Sequence, residues 1–458
     1  MCREVQELHT HHLSIPVTIS GLVNVTPVEP PPVVTGGTLY LSNLDDMVGS
    51  RVLTPTVFFY HHQPLCPPRE SIMKVLRDAL ACVLVPYYPI SGRLRETGNG
   101  KLEVLFGDEQ GVLMVEAYSE LALSDLGDMK VPNSSWSQLV YRYPHEEPYK
   151  VIGMPLLIAQ VTIFSCGGFS LGLRLCHCMF DGLGAMQFMA AWAATARLGK
   201  TVANPRPCWT REKLQPRNPP LLSYPHPEFE RIEDKSNISE MFLHETLTQK
   251  CYLISREFQG RLKKGVQKNK LSFSTFDVMA AHVWRSWVKS LEIKPLTQKL
   301  RLTFSVNVRQ KLHNLQLEDG FYGNMFCVAC VVREAFDIIH GSLEETCRLV
   351  HEARVGATED YLRSTIDYIE MNRPMKLEFG GKLTITQWSR FPIYDSADFG
   401  WGRPSYAGPL DLTPTPQVCM FLPEADATKT TGDMVMSICL PTSAGDKFIE
   451  FLNAIGCT

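Results

Sequence analysis

The chain contains no run of about 18 apolar residues, the least a membrane-spanning helix needs. Its opening, Met1-Cys-Arg-Glu-Val-Gln-Glu-Leu-His-Thr, lacks the apolar core of a secretory signal. Gly456-Cys-Thr458 is not a prenylation box. Charge of one sign is scarce as well: the formal net charge is −3 over 458 residues, which gives no electrostatic case for nucleic acid or an anionic membrane. There is no low-complexity tract and no repeat of 20–50 residues, so solenoids and propellers are set aside. Metal-ligand clusters are missing too. His177 and Asp181 lack a nearby third ligand, and His9-Thr-His-His12 and the pair His61-His62, which could bind metal adventitiously, read as solvated loop or strand-end histidines.

What is present fits an ordinary globular protein. Hydrophobic residues make up 45% and charged residues 20%, and the length allows two or three domains. Fourteen cysteines are numerous, but without a secretion signal they read as reduced, buried small hydrophobes. The expectation is a cytoplasmic monomer whose sequons at Asn133 and Asn237 stay unmodified. Cys327-Val-Ala-Cys330 looks like a redox pair, yet in a strand residues i and i+3 face opposite ways.

Strand and helix signals alternate along the chain, which predicts an α/β fold with mixed sheets. Arg51 to Tyr60 is β-branched and aromatic, with Pro55 suggesting an edge or bend. Ser71 to Val83 has helical periodicity. Leu156 to Phe164 and Phe169 to Cys176, joined through Gly167-Gly168, form a hairpin pattern. A helix follows with Asp181 as N-cap and Gly199 as stop. Seven of the 31 prolines then fall between Pro205 and Pro227, marking a linker at 201–235 between a unit at 1–200 and a unit at 236–458. In the second half, Ser274 to Val288 is helical, and Leu302 to Val308 and Met325 to Val332 are strands.

Two islands carry chemistry. In Leu173-Arg-Leu-Cys-His177-Cys-Met-Phe-Asp181-Gly182 a histidine ends an apolar strand at a helix start. A neutral imidazole there can take a proton from a bound alcohol or amine, and the positive end of the helix favours the neutral ring. The alternative is a satisfied structural histidine. Asp181 needs no catalytic part, since capping the helix fixes the turn that aims His177. Gly182 and Gly184 permit close approach of backbone and substrate. In Asp398-Phe-Gly400-Trp401-Gly402, Trp401 offers an indole N–H that could face an oxyanion, against the alternative of a structural Gly-Trp turn. Gly168-Phe-Ser170-Leu-Gly172 matches a nucleophile elbow, but that motif needs a helix directly after the serine and here strand continues to His177.

The two islands, HxxxD and DFGWG, together resemble the signatures of the plant BAHD acyl-CoA-dependent acyltransferases. The similarity extends over nearly the whole chain: Leu41-Ser-Asn-Leu-Asp45, Tyr88-Pro-Ile-Ser-Gly-Arg93, Asn307-Val-Arg309 and Tyr322-Gly-Asn324 resemble further family blocks in the family order. The resemblance implies two similar-sized α/β domains, like those of chloramphenicol acetyltransferase, joined by a long crossover with the active-site channel between them. It implies His177 as general base, Asp181, Gly182, Arg309, Gly400 and Gly402 as structural, and Asp398 as a positioning residue paired with Arg309. It also implies Trp401 as an oxyanion donor and acyl-CoA as a co-substrate, with no permanently bound cofactor and no metal. Thr54, Thr56, Phe58, Thr386, Trp388 and Arg390 resemble the acceptor side of hydroxycinnamoyl transferases, with Phe58 where a tyrosine is common and Arg390 placed to grip an acceptor carboxylate. The function implied is transfer of a hydroxycinnamoyl or other aromatic acyl group to a hydroxyl or amine. The alternatives are a non-catalytic partner subunit in lipid elongation and a serine hydrolase using Ser170.

Overall fold

Two large sheets face each other across the molecule, and each borrows one strand from the far side of the linker. The computed structural model describes residues 5–9, 13–63, 69–107, 111–147, 149–266, 272–373, 380–410, 417–425 and 432–454. His11, His12 and the C-terminal Gly456-Cys-Thr458 lie outside them. A six-stranded sheet runs in the order Tyr406–Pro409, Leu53–Tyr60, Phe169–Cys176, Leu157–Phe164, Val112–Ser119, Thr18–Val25. A seven-stranded sheet runs Val5–Leu8, Leu247–Ile254, Met434–Pro441, Val418–Pro423, Lys382–Gln387, Lys299–Asn307, Phe326–Glu334. A small third sheet joins Thr38–Tyr40, Leu102–Leu105 and Arg93–Glu96. Both large sheets mix parallel and antiparallel pairs.

The hairpin at the centre of the first sheet forms because its strands are apolar on both faces, and all eight residues of Leu157–Phe164 are buried. Its partner strand ends at Cys176, and the helix Gly182–Leu198 begins five residues after His177. Asp181 caps that helix, its Oδ1 accepting from the Gly184 N–H at 2.9 Å, and Gly199 ends it in left-handed backbone at φ 63°. The second sheet packs on the helix Thr275–Ser290, whose N-terminus is tied by a reciprocal cap between Ser274 and Asp277 at 2.8 and 3.1 Å. Trp284 and Trp287 anchor its nearly all-buried surface in a second apolar core.

Two expectations need correction. The strand Leu53–Tyr60 is not an edge, because Tyr406–Pro409 pairs along it from Phe59 to Thr56. Pro55 lies one residue past the end of that partner, where its missing N–H leaves no ladder bond unmade. The units 1–200 and 236–458 also do not own their sheets outright. Val5–Leu8 completes the second sheet beside Leu247–Ile254, and Tyr406–Pro409 completes the first. Between Leu198 and Ile238 the chain carries only a short helical turn, Arg211–Leu214.

Candidate active site

A cavity of about 640 Å³ opens between the sheets. Its floor is one face of the seven-stranded sheet, because alternate residues of a strand point the same way. Ser305 and Thr303, then Phe326 and Val328, then Lys382, Thr384 and Thr386, then Val418 and Met420 all line it, and Trp388 stands at the end of that row. Their in-between neighbours, Leu302, Phe304, Ala329, Leu383 and Ile385, belong to the core below, Phe304 reaching the cavity edge as well. The roof comes from the first unit, through the segments around Met47–Pro55, Arg142–Met154 and Arg174, and from His177.

His177 is the first residue beyond its strand. Its N–H donates to the Val52 carbonyl at 2.9 Å and its carbonyl accepts from Asn324 Nδ2 at 2.8 Å. The backbone is therefore pinned on both sides, which aims the ring. Nδ1 is enclosed and bonded to nothing, while Nε2 is the ring nitrogen that remains open. The Phe326 ring stands edge-on at 6.2 Å and forms an apolar wall beside the base.

The pins lead into a network that joins blocks scattered over the sequence. Asn324 donates its N–H and its amide to Asp45 Oδ1, both at 2.9 Å. Asp45 Oδ2 accepts from Arg211 Nε at 3.0 Å, and both side chains are fully buried. Arg211 also donates to the Met179 carbonyl at 2.7 Å, and its guanidinium lies 3.6 Å from the Trp209 ring. The turn after His177 is thus held from Asp45 in the first unit, from Arg211 in the linker and from Asn324 in the second unit. The sequence blocks containing Asp45 and Asn324 were visible, but not that they meet at one histidine.

Arg309 does not pair with Asp398. It grips Asp181 instead, Nη1 to Oδ2 at 2.6 Å and Nη2 to Oδ1 at 3.0 Å, while Nη2 also reaches the Gly323 carbonyl at 2.8 Å. Asp181 therefore both caps the helix and bridges to the second unit, a bidentate charge-assisted pair. The glycines after it serve packing, not substrate access. A methyl added at Gly182 would fall 2.3 Å from the Phe391 ring, and one at Gly184 would fall 1.9 Å from the Tyr322 carbonyl oxygen.

The second island lies elsewhere. Trp401 packs edge-on against Phe169, with centroids 5.2 Å apart. Phe169 and His177 are eight residues apart on one strand, or about 26 Å at 3.3 Å per residue. Trp401 cannot reach an oxyanion formed at His177. Asp398 accepts from the Gly400 N–H at 2.9 Å, and its carbonyl accepts from Arg197. Next to it the Tyr60 hydroxyl donates to the Ala397 carbonyl at 2.7 Å, and burial, then the Asp398 charge, pushes that phenol well up. Gly400 and Gly402 hold left-handed backbone, at φ 102° and 84°. This loop locks the strand Tyr406–Pro409 onto the first sheet. Trp401→Phe is accordingly expected to lower Tm and leave kcat unchanged. A fall in kcat of the roughly 10²–10³-fold that follows loss of an oxyanion donor would return Trp401 to the chemistry.

Of the acceptor-side residues, the structure brings Thr54, Thr386 and Trp388 to the cavity wall. Thr56 and Phe58 are buried in the first core, and Arg390 is exposed to solvent, so none of these three lines the cavity. Ser170 sits inside a strand, fully buried, with no elbow and no helix after it. The thiols are equally poor nucleophiles. Hydrogen bonding with Cys176, then burial, pushes Cys178 well up, and burial pushes Cys330 up to about 12. None of the described cysteines is in a disulfide. Among the described residues, no cluster of three His, Cys, Asp or Glu could hold a metal, and no helix is long and apolar enough to cross a membrane.

Comparison with known proteins follows the same lines. The Transferase family model matches residues 15–452. The chain is 36% identical over 420 residues to an omega-hydroxypalmitate O-feruloyl transferase of Arabidopsis thaliana, covering 90% of this chain and 88% of that one. It is 34% identical over 425 residues to alcohol acyl transferase 1 (allele RGb) of Malus domestica, covering 91% and 90%. Its fold is similar to that of vinorine synthase, at a TM-score of 0.71 and 22% identity over 96% of this chain and 98% of that one. It is also similar to F. graminearum TRI101 complexed with coenzyme A and deoxynivalenol, at a TM-score of 0.69 and 15% identity over 90% and 96%. A histidine pinned at the strand end, two facing α/β units and a family match along nearly the entire length lead to one conclusion: the chain belongs to the Transferase family, the BAHD acyltransferases, which take their acyl group from a CoA thioester.

Proposed function

We propose that this protein transfers an aromatic acyl group of the hydroxycinnamoyl class from its CoA thioester to the hydroxyl of an acceptor, with His177 as general base. The observation that carries this reading is the open Nε2 of a backbone-pinned histidine on the wall of a 640 Å³ cavity. The feruloyl and alcohol substrates in the names of two relatives support the acyl class and an oxygen nucleophile. In the reaction, Nε2 accepts the hydroxyl proton as the acceptor oxygen attacks the thioester carbonyl. The tetrahedral oxyanion collapses, the carbon–sulfur bond breaks, and the CoA sulfur leaves with the proton held on the imidazolium. No covalent acyl-enzyme forms, since the described cysteines and Ser170 are buried, inert or unassisted by a base.

The test is thiol release from a panel of acyl-CoAs, with and without alcohol and amine acceptors. Release should require both partners, be fastest with hydroxycinnamoyl-CoA, and yield an ester. Release without acceptor would indicate hydrolysis, and faster release with aliphatic acyl-CoAs would overturn the donor class.

A further inference from the structure

His177 can act as a base at Nε2 only while that nitrogen carries no hydrogen. The neutral ring must then hold its one hydrogen at Nδ1, and the bond each nitrogen makes decides which of them carries it. Left to the cavity alone, the hydrogen would sit on the open Nε2, where solvent accepts it, and the ring could take no proton there. Some group has to hold it on Nδ1, which is enclosed and bonded to nothing. An enclosed N–H with no acceptor is costly, so the catalytic form of the ring needs an oxygen nearby.

An acceptor in the same condition belongs to the network already described. Asn324 Oδ1 is enclosed and takes no hydrogen bond. It cannot trade places with Nδ2, because that end of the amide meets Asp45 Oδ1 at 2.9 Å and the His177 carbonyl at 2.8 Å, two oxygens that only accept. The two ends of an amide are about 2.3 Å apart. Oδ1 therefore lies within about 5 Å of the His177 carbonyl, a gap that one water can bridge with two hydrogen bonds. The other enclosed amide oxygen without a donor among the described residues, Gln417 Oε1, is remote. Its neighbour Val418 is level with Thr384 and Thr303, whereas Phe326, beside His177, is opposite Asn307, four residues or about 13 Å further along the strand.

We infer that Asn324 is the positioning residue that sets the tautomer of His177: Oδ1 holds the Nδ1 hydrogen through one water and so leaves the Nε2 lone pair to the acceptor. This rests on the acyl-transfer reading above and deepens it. The two ends of one amide then divide the work, Nδ2 aiming the backbone of His177 and Oδ1 choosing which ring nitrogen is the base. Asp45 acquires a second purpose as well. Its carboxylate admits only the NH2 end of Asn324, which turns the oxygen the right way round.

The experiment reads the ring directly, by nitrogen-15 NMR of histidine-labelled protein, with His177→Ala identifying the signal. In the parent, at a pH where the ring is neutral, Nδ1 should be the protonated nitrogen and Nε2 the bare one. Asn324→Ala should move the hydrogen towards Nε2. Its kcat should fall about ten-fold, with the KM of acyl-CoA and acceptor unchanged, and by the same factor at every pH, since a tautomer ratio does not vary with pH. Asp45→Asn weakens the same backbone pin but keeps the Asn324 oxygen, and should keep the parent tautomer. Asn324→Ser carries the comparison if the alanine variant does not fold. A parent ring protonated at Nε2, an unchanged tautomer in the Asn324 variants, or an equal change in Asp45→Asn would each overturn the assignment. The transfer reading fails separately. A tautomer that depends on Asn324 in a protein that releases no thiol with any substrate pair would keep the assignment and sink that reading.

Discussion

His177→Ala is expected to give a folded protein whose acyl transfer has fallen about 10²–10⁴-fold, the usual contribution of a positioned general base. Folding should survive because the two hydrogen bonds that hold this residue are made by its backbone, to Val52 and from Asn324, and alanine keeps both. Substrate binding should change little, so the loss should appear in kcat and leave the acyl-CoA KM near its parent value. Steady-state kinetics with circular dichroism on the same sample check it. Near-normal turnover in a folded mutant would mean that another group takes the proton.

Asp45→Ala is expected to have the largest effect on stability. The carboxylate is fully buried against Arg211, and removing it leaves a guanidinium enclosed by Trp209 and Tyr322 with no carboxylate partner. Breaking one side of such a pair costs about 3–5 kcal/mol, a large part of the margin by which a domain stays folded. The same change strips Asn324 of its acceptor and so loosens the pin on the His177 carbonyl. Asp45→Asn keeps the shape and some of the hydrogen bonds, and should lie between parent and alanine in both Tm and kcat. Thermal melts, and kcat measured well below each melting point, distinguish the outcomes. An unchanged Tm in Asp45→Ala would show that Arg211 finds other compensation.

The local parts of this molecule were readable because their causes are local. Continuous apolar runs and the Gly167 turn specify the hairpin before His177, and Asp181 and Gly199 specify the helix after it. The strand position of Ser170 likewise followed from the residues around it. What failed was pairing at a distance. Arg309 was expected on Asp398 and lies on Asp181, because two carboxylates of equal chemistry compete for it and only the fold decides which is near. Trp401 was expected at the oxyanion for its N–H donor, yet an indole ring is also a large apolar body, and Phe169 claims it for packing.

The two exchanged strands also constrain how the enzyme can move. A hinge that swung the units apart would have to pull Val5–Leu8 from Leu247–Ile254 or Tyr406–Pro409 from Leu53–Tyr60, breaking a ladder of backbone bonds in either case. These crossed ties favour a rigid body through which reactants are threaded over a clam that shuts around them. Traffic would then pass through the mouths of the cavity, and turnover would be governed by how fast reactants slide in and products slide out. The ties make the halves interdependent too. Two fragments cut within 201–235 would each carry an incomplete sheet with a bare edge, and would find their shape only by reassembling with one another.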